Sequence, residues 1–377
     1  MRIKHITLLI LFSIGIKIAY LIFSIGMNGS NDSISNEYIG CVKKNDSYWY
    51  QRIATNGYPK INNKRDLGYS NGPDFKQSEW AFFPLYPGMN AITSNIFNIS
   101  FDTSAFIWSI LFSLLSVLGI YWFGLIFFKD QLLALFCTLI IFCFPFSFYY
   151  SMFYTEAVFM TFTIFSFICI HYKRYLFLSL LLIPLTLIRP NGIIILIPLY
   201  LYFLEQKKII QHINIDWKRL LDKKNILQSL FFISAPVTFF AYAFYQYEMT
   251  GYPFAFSIAQ AGWYKELTFP LFSFFRRGDV ATQFNSVFAI IVILYFISVW
   301  KKLPLSLSIL VLLSLLTPLC AGSVTSMTRY VSVLFPLFMI LSSTIYQLKS
   351  KYLILLLILA LHFLSYYGWI TNHSISF

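Results

Sequence analysis

The sequence predicts an all-α polytopic membrane protein of about eleven transmembrane helices, and three observations carry that prediction. Of 377 residues, 58% are hydrophobic and 11% charged, with a mean hydropathy of +0.69, a composition foreign to soluble domains. Apolar runs of helical length recur from one end of the chain to the other. The basic residues sit in short clusters between those runs, and with the N-terminus inside, Lys129, Lys173-Arg174, the set from Lys207 to Lys224, Lys301-Lys302 and Lys349 with Lys351 all fall on one side, as the positive-inside rule requires. The formal charge of +13 therefore reports topology rather than a nucleic-acid partner. Of the five cysteines, Cys137, Cys143, Cys169 and Cys320 lie in or beside apolar runs and only Cys41 in a polar loop, which outlines neither a disulfide framework nor a metal site.

Met1 to Gly26 opens with Arg2 and Lys4 and continues apolar except for Lys17, which reads as an uncleaved anchor. The alternative, a signal peptide cut after Ser24-Ile25-Gly26, has too long an apolar run. Residues 27–102 form a polar first extracytoplasmic loop, long enough to carry function. Within it, Asp46, Trp49, Tyr50, Ile53 and Gly57 share one helical face, and Asn56-Gly57 followed by Pro59 ends the helix after roughly three turns. This short amphipathic helix suits a membrane surface. Ala81 to Phe97, broken by Pro84, Pro87 and Gly88, reads as a surface-lying or re-entrant segment; counting it as a crossing would put the basic clusters from Lys129 onward outside. Spans follow at 103–128, 131–150, 155–171, 175–188, 192–204, 227–246, 282–299, 303–320, 329–346 and 352–370. Residues 205–226 make a basic cytoplasmic loop and 247–281 an aromatic extracytoplasmic one, the whole chain 1–377 being a single membrane domain. No tandem or inverted repeat is evident.

Residues capable of chemistry collect on the predicted outer face. Asp46, among Tyr48, Trp49 and Tyr50, is placed to act as a general base toward a hydroxyl held against aromatics, or merely as the N-cap of its helix. Glu79 is a second carboxylate of the same loop, or a solvated interface charge. Glu156 opens a span, where the helix dipole favours it, and its cost in lipid argues that it faces a cavity. Arg189-Pro190-Asn191-Gly192 is a tight turn, with Arg189 free to snorkel. Gln260 and Trp263 follow Gly251-Tyr-Pro-Phe-Ala-Phe in an aromatic loop that reads first as a membrane-resting surface. Arg329, before Tyr330, is either a planar clamp for a phosphate or an interfacial anchor. No histidine pair has ligand-like spacing, and no Gly-rich phosphate loop is present.

Taken in series, Asp46 through Ile53-Ala54 to Gly57-Tyr58, Ala81-Phe-Phe-Pro-Leu-Tyr-Pro87, Phe153-Tyr154-Thr155-Glu156, Arg189 with Asn191-Gly192, Gly251 with Pro253 to Phe256, Gln260, Trp263, and Arg329-Tyr330 leading to Phe335-Pro336 resemble the GPI mannosyltransferase 2 family, in order and over most of residues 46–346. The resemblance implies a C-type (GT-C) glycosyltransferase fold, which uses a polyprenyl- or dolichyl-phosphate sugar on the non-cytoplasmic face with a catalytic Asp in the first outer loop. Asp46 takes that position, with Asn45 where the family has Trp. The expected activity is inverting transfer of a hexose, mannose by the resemblance, to a lipid or glycolipid hydroxyl. Asp46 and Glu79 are then the catalytic candidates, Arg329 and Arg189, with Arg276-Arg277, the phosphate cations, and Trp49, Tyr50, Glu156, Asn191, Gln260 and Trp263 substrate contacts. No metal or other cofactor is expected, and the partners are the bilayer, the donor and the acceptor. The membrane is the plasma membrane of a prokaryote or the endoplasmic reticulum of a eukaryote; only in the second do the sequons at Asn28, Asn31, Asn45, Asn98 and Asn372 matter. The rival expectations are a transporter or flippase for lipid-linked sugars, which should show internal symmetry, and a non-catalytic subunit that binds them.

Overall fold

Long runs of Leu, Ile and Phe without Pro or Gly leave the backbone no alternative to internal hydrogen bonding, and the chain accordingly folds as helices. The structure, a computed structural model, describes residues 3–28, 34–71, 74–211, 214–275 and 278–373. Among the described residues, five helices are long and apolar enough to cross a membrane: Ile3–Gly26, Phe101–Phe128, Lys223–Thr250, Val280–Lys302 and Lys351–Ile370. Six shorter apolar helices accompany them: Gln131–Cys143, Glu156–His171, Tyr175–Ile188, Asn191–Gln206, Leu305–Cys320 and Phe335–Tyr346. Among the described residues the strands form two short antiparallel hairpins, Tyr69–Asn71 with Asp74–Lys76 and Ile210–Gln211 with Asn214–Ile215.

Apolar and polar groups are distributed as membrane embedding would have them. Leu353, Leu356, Leu357, Leu361 and Leu364 face outward along the last helix, whereas small and hydroxylated residues are turned inward. Ser116 on Phe101–Phe128 shows the inward pattern: its hydroxyl lies 2.9 Å from Ala157 O and 2.9 Å from Thr161 Oγ1 on the neighbouring helix Glu156–His171. At one end of the bundle the basic connections meet, with Lys207 over the Tyr175 ring at 5.4 Å and Glu205 accepting from the Ser306 amide at 3.1 Å.

Several boundaries differ from the sequence expectation. The run expected over 329–346 divides into Met327–Ser332 and Phe335–Tyr346, because Pro336 lacks an N–H and restarts the helix in its first turn. The run expected over 131–150 becomes a helix only to Cys143, then a 3-10 turn at Ser147–Ser151 beyond Pro145. The segment 81–97 is a regular helix from Leu85 to Phe97; Pro87 falls in its first turn, where a missing N–H costs nothing, and its 13 residues stay short of a span.

The helix expected from Asp46 runs over Asp46–Asn56 and stops at Gly57, whose φ of 73° only glycine adopts without strain. Its N-terminus is pinned from several directions. Phe153 N donates to Val42 O at 3.2 Å, Ser47 Oγ to Phe153 O at 3.1 Å, Tyr154 Oη to Lys44 O at 3.1 Å and Trp369 Nε1 to Cys41 O at 2.7 Å. Lys44 Nζ in turn donates to Trp369 O at 2.7 Å and Ile370 O at 3.0 Å, satisfying carbonyls at the end of the last helix. Residues 58–67, 80–82 and 249–263 then build a second, smaller core around Leu67, Trp80, Ala81, Ala255 and Ala259. Tyr58 stacks on Trp80 with ring centroids 4.5 Å apart and donates to Phe82 O at 2.6 Å, while Ile61 N donates to Met249 O at 3.0 Å. The two polar loops thus fold onto each other at one end of the helices.

Candidate active site

Two helices begin with a carboxylate at this end of the bundle. Asp46 is the first residue of Asp46–Asn56 and Glu156 the first of Glu156–His171, where the exposed N–H groups favour negative charge. The N-cap of the first helix is Asn45, whose side chain caps nothing, so Asp46 is left for tertiary contact. Its Oδ2 accepts from Arg329 Nη1 at 2.5 Å. The same guanidinium donates through Nε to Glu156 Oε1 at 2.5 Å and lies 4.5 Å over the Tyr154 ring. One planar cation therefore ties together carboxylates from two helices.

Arg189 completes the cluster. The helix Tyr175–Ile188 ends as the chain turns extended at Arg189, and Pro190 starts a new helical turn at Asn191. Gly192 is required there: a Cβ on it would sit 1.9 Å from Leu185 O. The turn directs Arg189 inward, where Nη2 donates to Thr155 Oγ1 at 2.7 Å and Glu156 Oε1 at 3.0 Å, with the guanidinium 4.6 Å over Phe159. Glu156 is wholly buried, and a buried carboxylate is tolerated because two cations share it. Its Oε2 and Arg189 Nε are buried without a partner, so the cluster keeps unspent hydrogen-bonding capacity.

In front of the cluster opens a cavity of about 410 Å³, within the range of small-molecule sites. Asp46, Tyr50, Arg189, Asn191, Gln260, Trp263 and Arg329 all line it. Burial, with Asp46 adding to it, pushes the Tyr50 phenol well above its ordinary pKa, so it stays protonated and able to donate. Trp49 reaches the cavity only through its neighbours, stacking on Phe82 at 5.7 Å and edge-on to Trp263 at 5.5 Å; those two rings are in the wall. Gln260 Nε2 donates to Ala81 O at 3.3 Å and so joins the two loops over the cavity.

Glu79 stands apart from this group. It is buried against Arg52 Nε at 2.5 Å and does not line the cavity, so the structure does not bring the two loop carboxylates onto one reacting centre. Arg276 and Arg277 lie outside the described residues. Sequence reasoning assigned no role to Lys265, Thr155, Phe82, Thr317, Ser323, Thr325 and Ser326, all of which line the cavity. Of these Lys265 offered a local signal, a cation two residues beyond Trp263 in an aromatic loop, and Phe82 and Thr155 stand in the motifs that carry the resemblance. Among the described residues, no three His, Cys, Asp or Glu side chains gather as metal ligands would. The arrangement offers a carboxylate at the edge of a cavity rich in cations, phenols and hydroxyls. No protein-family profile matches the chain, and no characterised protein sequence matches it either.

Proposed function

We propose that the chain is an integral membrane glycosyltransferase that moves a hexose from a polyprenyl-phosphate carrier to the hydroxyl of a lipid or glycolipid. The observation that carries the reading is Asp46, held by Arg329 at the edge of a cavity whose other charged wall residues are cations. In this reading the eleven apolar helices cross the bilayer, the basic connections face the cytoplasm and the cavity faces the other side. The sugar is taken to be mannose on the resemblance to GPI mannosyltransferases.

The acceptor hydroxyl approaches Asp46, which takes its proton as the oxygen attacks the anomeric carbon. The bond from that carbon to the phosphate oxygen breaks on the opposite face, and its electron pair stays on the phosphate. Configuration inverts. The aromatic wall of Phe82 and Trp263 offers flat apolar surface to a sugar ring, and Tyr50, Asn191 and Gln260 offer polar groups for its hydroxyls. Cations already in place meet the growing phosphate charge with little reorganisation. The experiment incubates the purified protein with radiolabelled polyprenyl-phosphate mannose and a membrane lipid extract. Label should move to a new lipid product; label that stays on the donor with every lipid fraction contradicts the reading.

A further inference from the structure

We infer that Lys265, which lines the cavity together with Ser323, Thr325 and Ser326, is the subsite for the phosphate of the singly charged phosphodiester donor. The inference rests on the glycosyltransferase reading and corrects its cation assignment. Arg329 donates to Asp46 and Glu156, and Arg189 to Glu156 and Thr155. Two guanidiniums thus match two carboxylates. Lys265 also lines the cavity, and no carboxylate pairs with it among the described residues. Three cations against two anions leave one positive charge, which a phosphate diester neutralises and a diphosphate would overshoot.

The position of Lys265 is built by the backbone. Glu266 N donates to Ala321 O at 3.1 Å and Thr268 N to Cys320 O at 2.9 Å, so the chain after Trp263 runs along the end of the helix Leu305–Cys320. Lys265 N itself donates to Gln260 O at 3.2 Å. This pairing ties the stretch of chain that carries Lys265 to Cys320 and Ala321, and Lys265, Ser323, Thr325 and Ser326 line the same cavity. Ser323 Oγ donates to Thr325 Oγ1 at 2.9 Å and accepts from Thr325 N at 3.1 Å, which fixes the segment's shape. An ammonium with hydroxyl donors in the same cavity matches phosphate oxygens. When the anomeric bond breaks, the phosphate passes from one negative charge to two, so the same ammonium binds the departing group more strongly than the diester.

The test measures binding of methyl farnesyl phosphate, a singly charged phosphodiester, to the full-length protein in detergent. Farnesol serves as the chain without charge and dimethyl phosphate as the charge without chain. A lost charge-assisted hydrogen bond predicts about 10- to 100-fold weaker binding of methyl farnesyl phosphate to Lys265→Gln. Lys265→Arg should recover to within about threefold, since the site asks for charge rather than a planar fork. Thermal unfolding is recorded throughout, and Lys265→Met repeats the measurement should Lys265→Gln fail to fold. Unchanged binding in the folded, uncharged variant overturns the inference while leaving the glycosyltransferase reading intact. Dimethyl phosphate binding as tightly as the farnesyl diester overturns the lipid-linked ligand. A wild-type protein that binds none of the three overturns both.

Discussion

Arg329 joins carboxylates that begin two different helices, and under the proposed glycosyltransferase reading that join is what aims Asp46 at the acceptor. A lysine there keeps the charge but loses the fork, so it can serve one carboxylate at a time. Arg329→Lys should remain folded and lose about 10²-fold in transfer through misplacement of Asp46. Turnover beside a thermal unfolding curve checks this; wild-type turnover would show that Arg329 does not position the base. At this scale the sequence was informative about identities and silent about partners. Asp46 and Arg329 stood out because acidic and basic residues are rare near apolar runs. That Arg329 also holds Glu156, 173 residues away, has no local signature, since packing alone brings them together. Of the two readings of Asp46, general base or N-cap, geometry displaces the cap: Asn45 holds the cap position, and the Asp46 carboxylate turns to Arg329.

Elements were legible where local chemistry decides them. The helix Asp46–Asn56 follows from its periodicity and from the Asn-Gly stop, and both are short-range. The spans blurred where a proline sits inside an apolar run, because hydropathy does not register a missing N–H; the breaks at Pro145 and before Phe335-Pro336 are the instances. The turn at Pro190-Asn191 was legible as a turn, but not the reason for its glycine, which is the approach of Leu185 O. Gly192→Ala must push that carbonyl away, and overpacking of this kind costs about 1–3 kcal/mol. The same shift should move Arg189 off Glu156. The expected result is lower thermal stability together with reduced transfer; a variant as stable and active as wild type would mean the turn relaxes without disturbing the cluster.

For the molecule as a whole, composition and apolar runs pointed to the helical architecture, because lipid demands internally satisfied backbone. How the helices pack was not legible: a run's hydropathy does not say which side faces a neighbour. Nor did the sequence show residues 58–67, 80–82 and 249–263 forming a core of their own, since that pairing joins loops about 180 residues apart, as Gln260 does with Ala81. The arrangement in the membrane makes a separate prediction. With the basic loop 205–226 in the cytoplasm and 27–102 opposite, single cysteines at Lys218 and Lys64, both exposed, should react with an impermeant thiol reagent from opposite sides when placed in a cysteine-free variant. Equal labelling of both from one side contradicts the topology.

The claim on which the rest depends is that Asp46 takes the acceptor's proton, and the most direct measurement compares turnover of Asp46→Asn with wild type at matched expression. Asparagine is nearly isosteric and accepts the Arg329 hydrogen bond, so fold and donor binding should persist. It cannot take up a proton at neutral pH, and loss of a general base costs about two to four orders of magnitude in rate. The expected Asp46→Asn protein is folded, unfolds close to wild type, binds methyl farnesyl phosphate and transfers at least about 10²-fold more slowly. Transfer within about tenfold of wild type would contradict the claim, leaving Asp46 as a structural partner of Arg329.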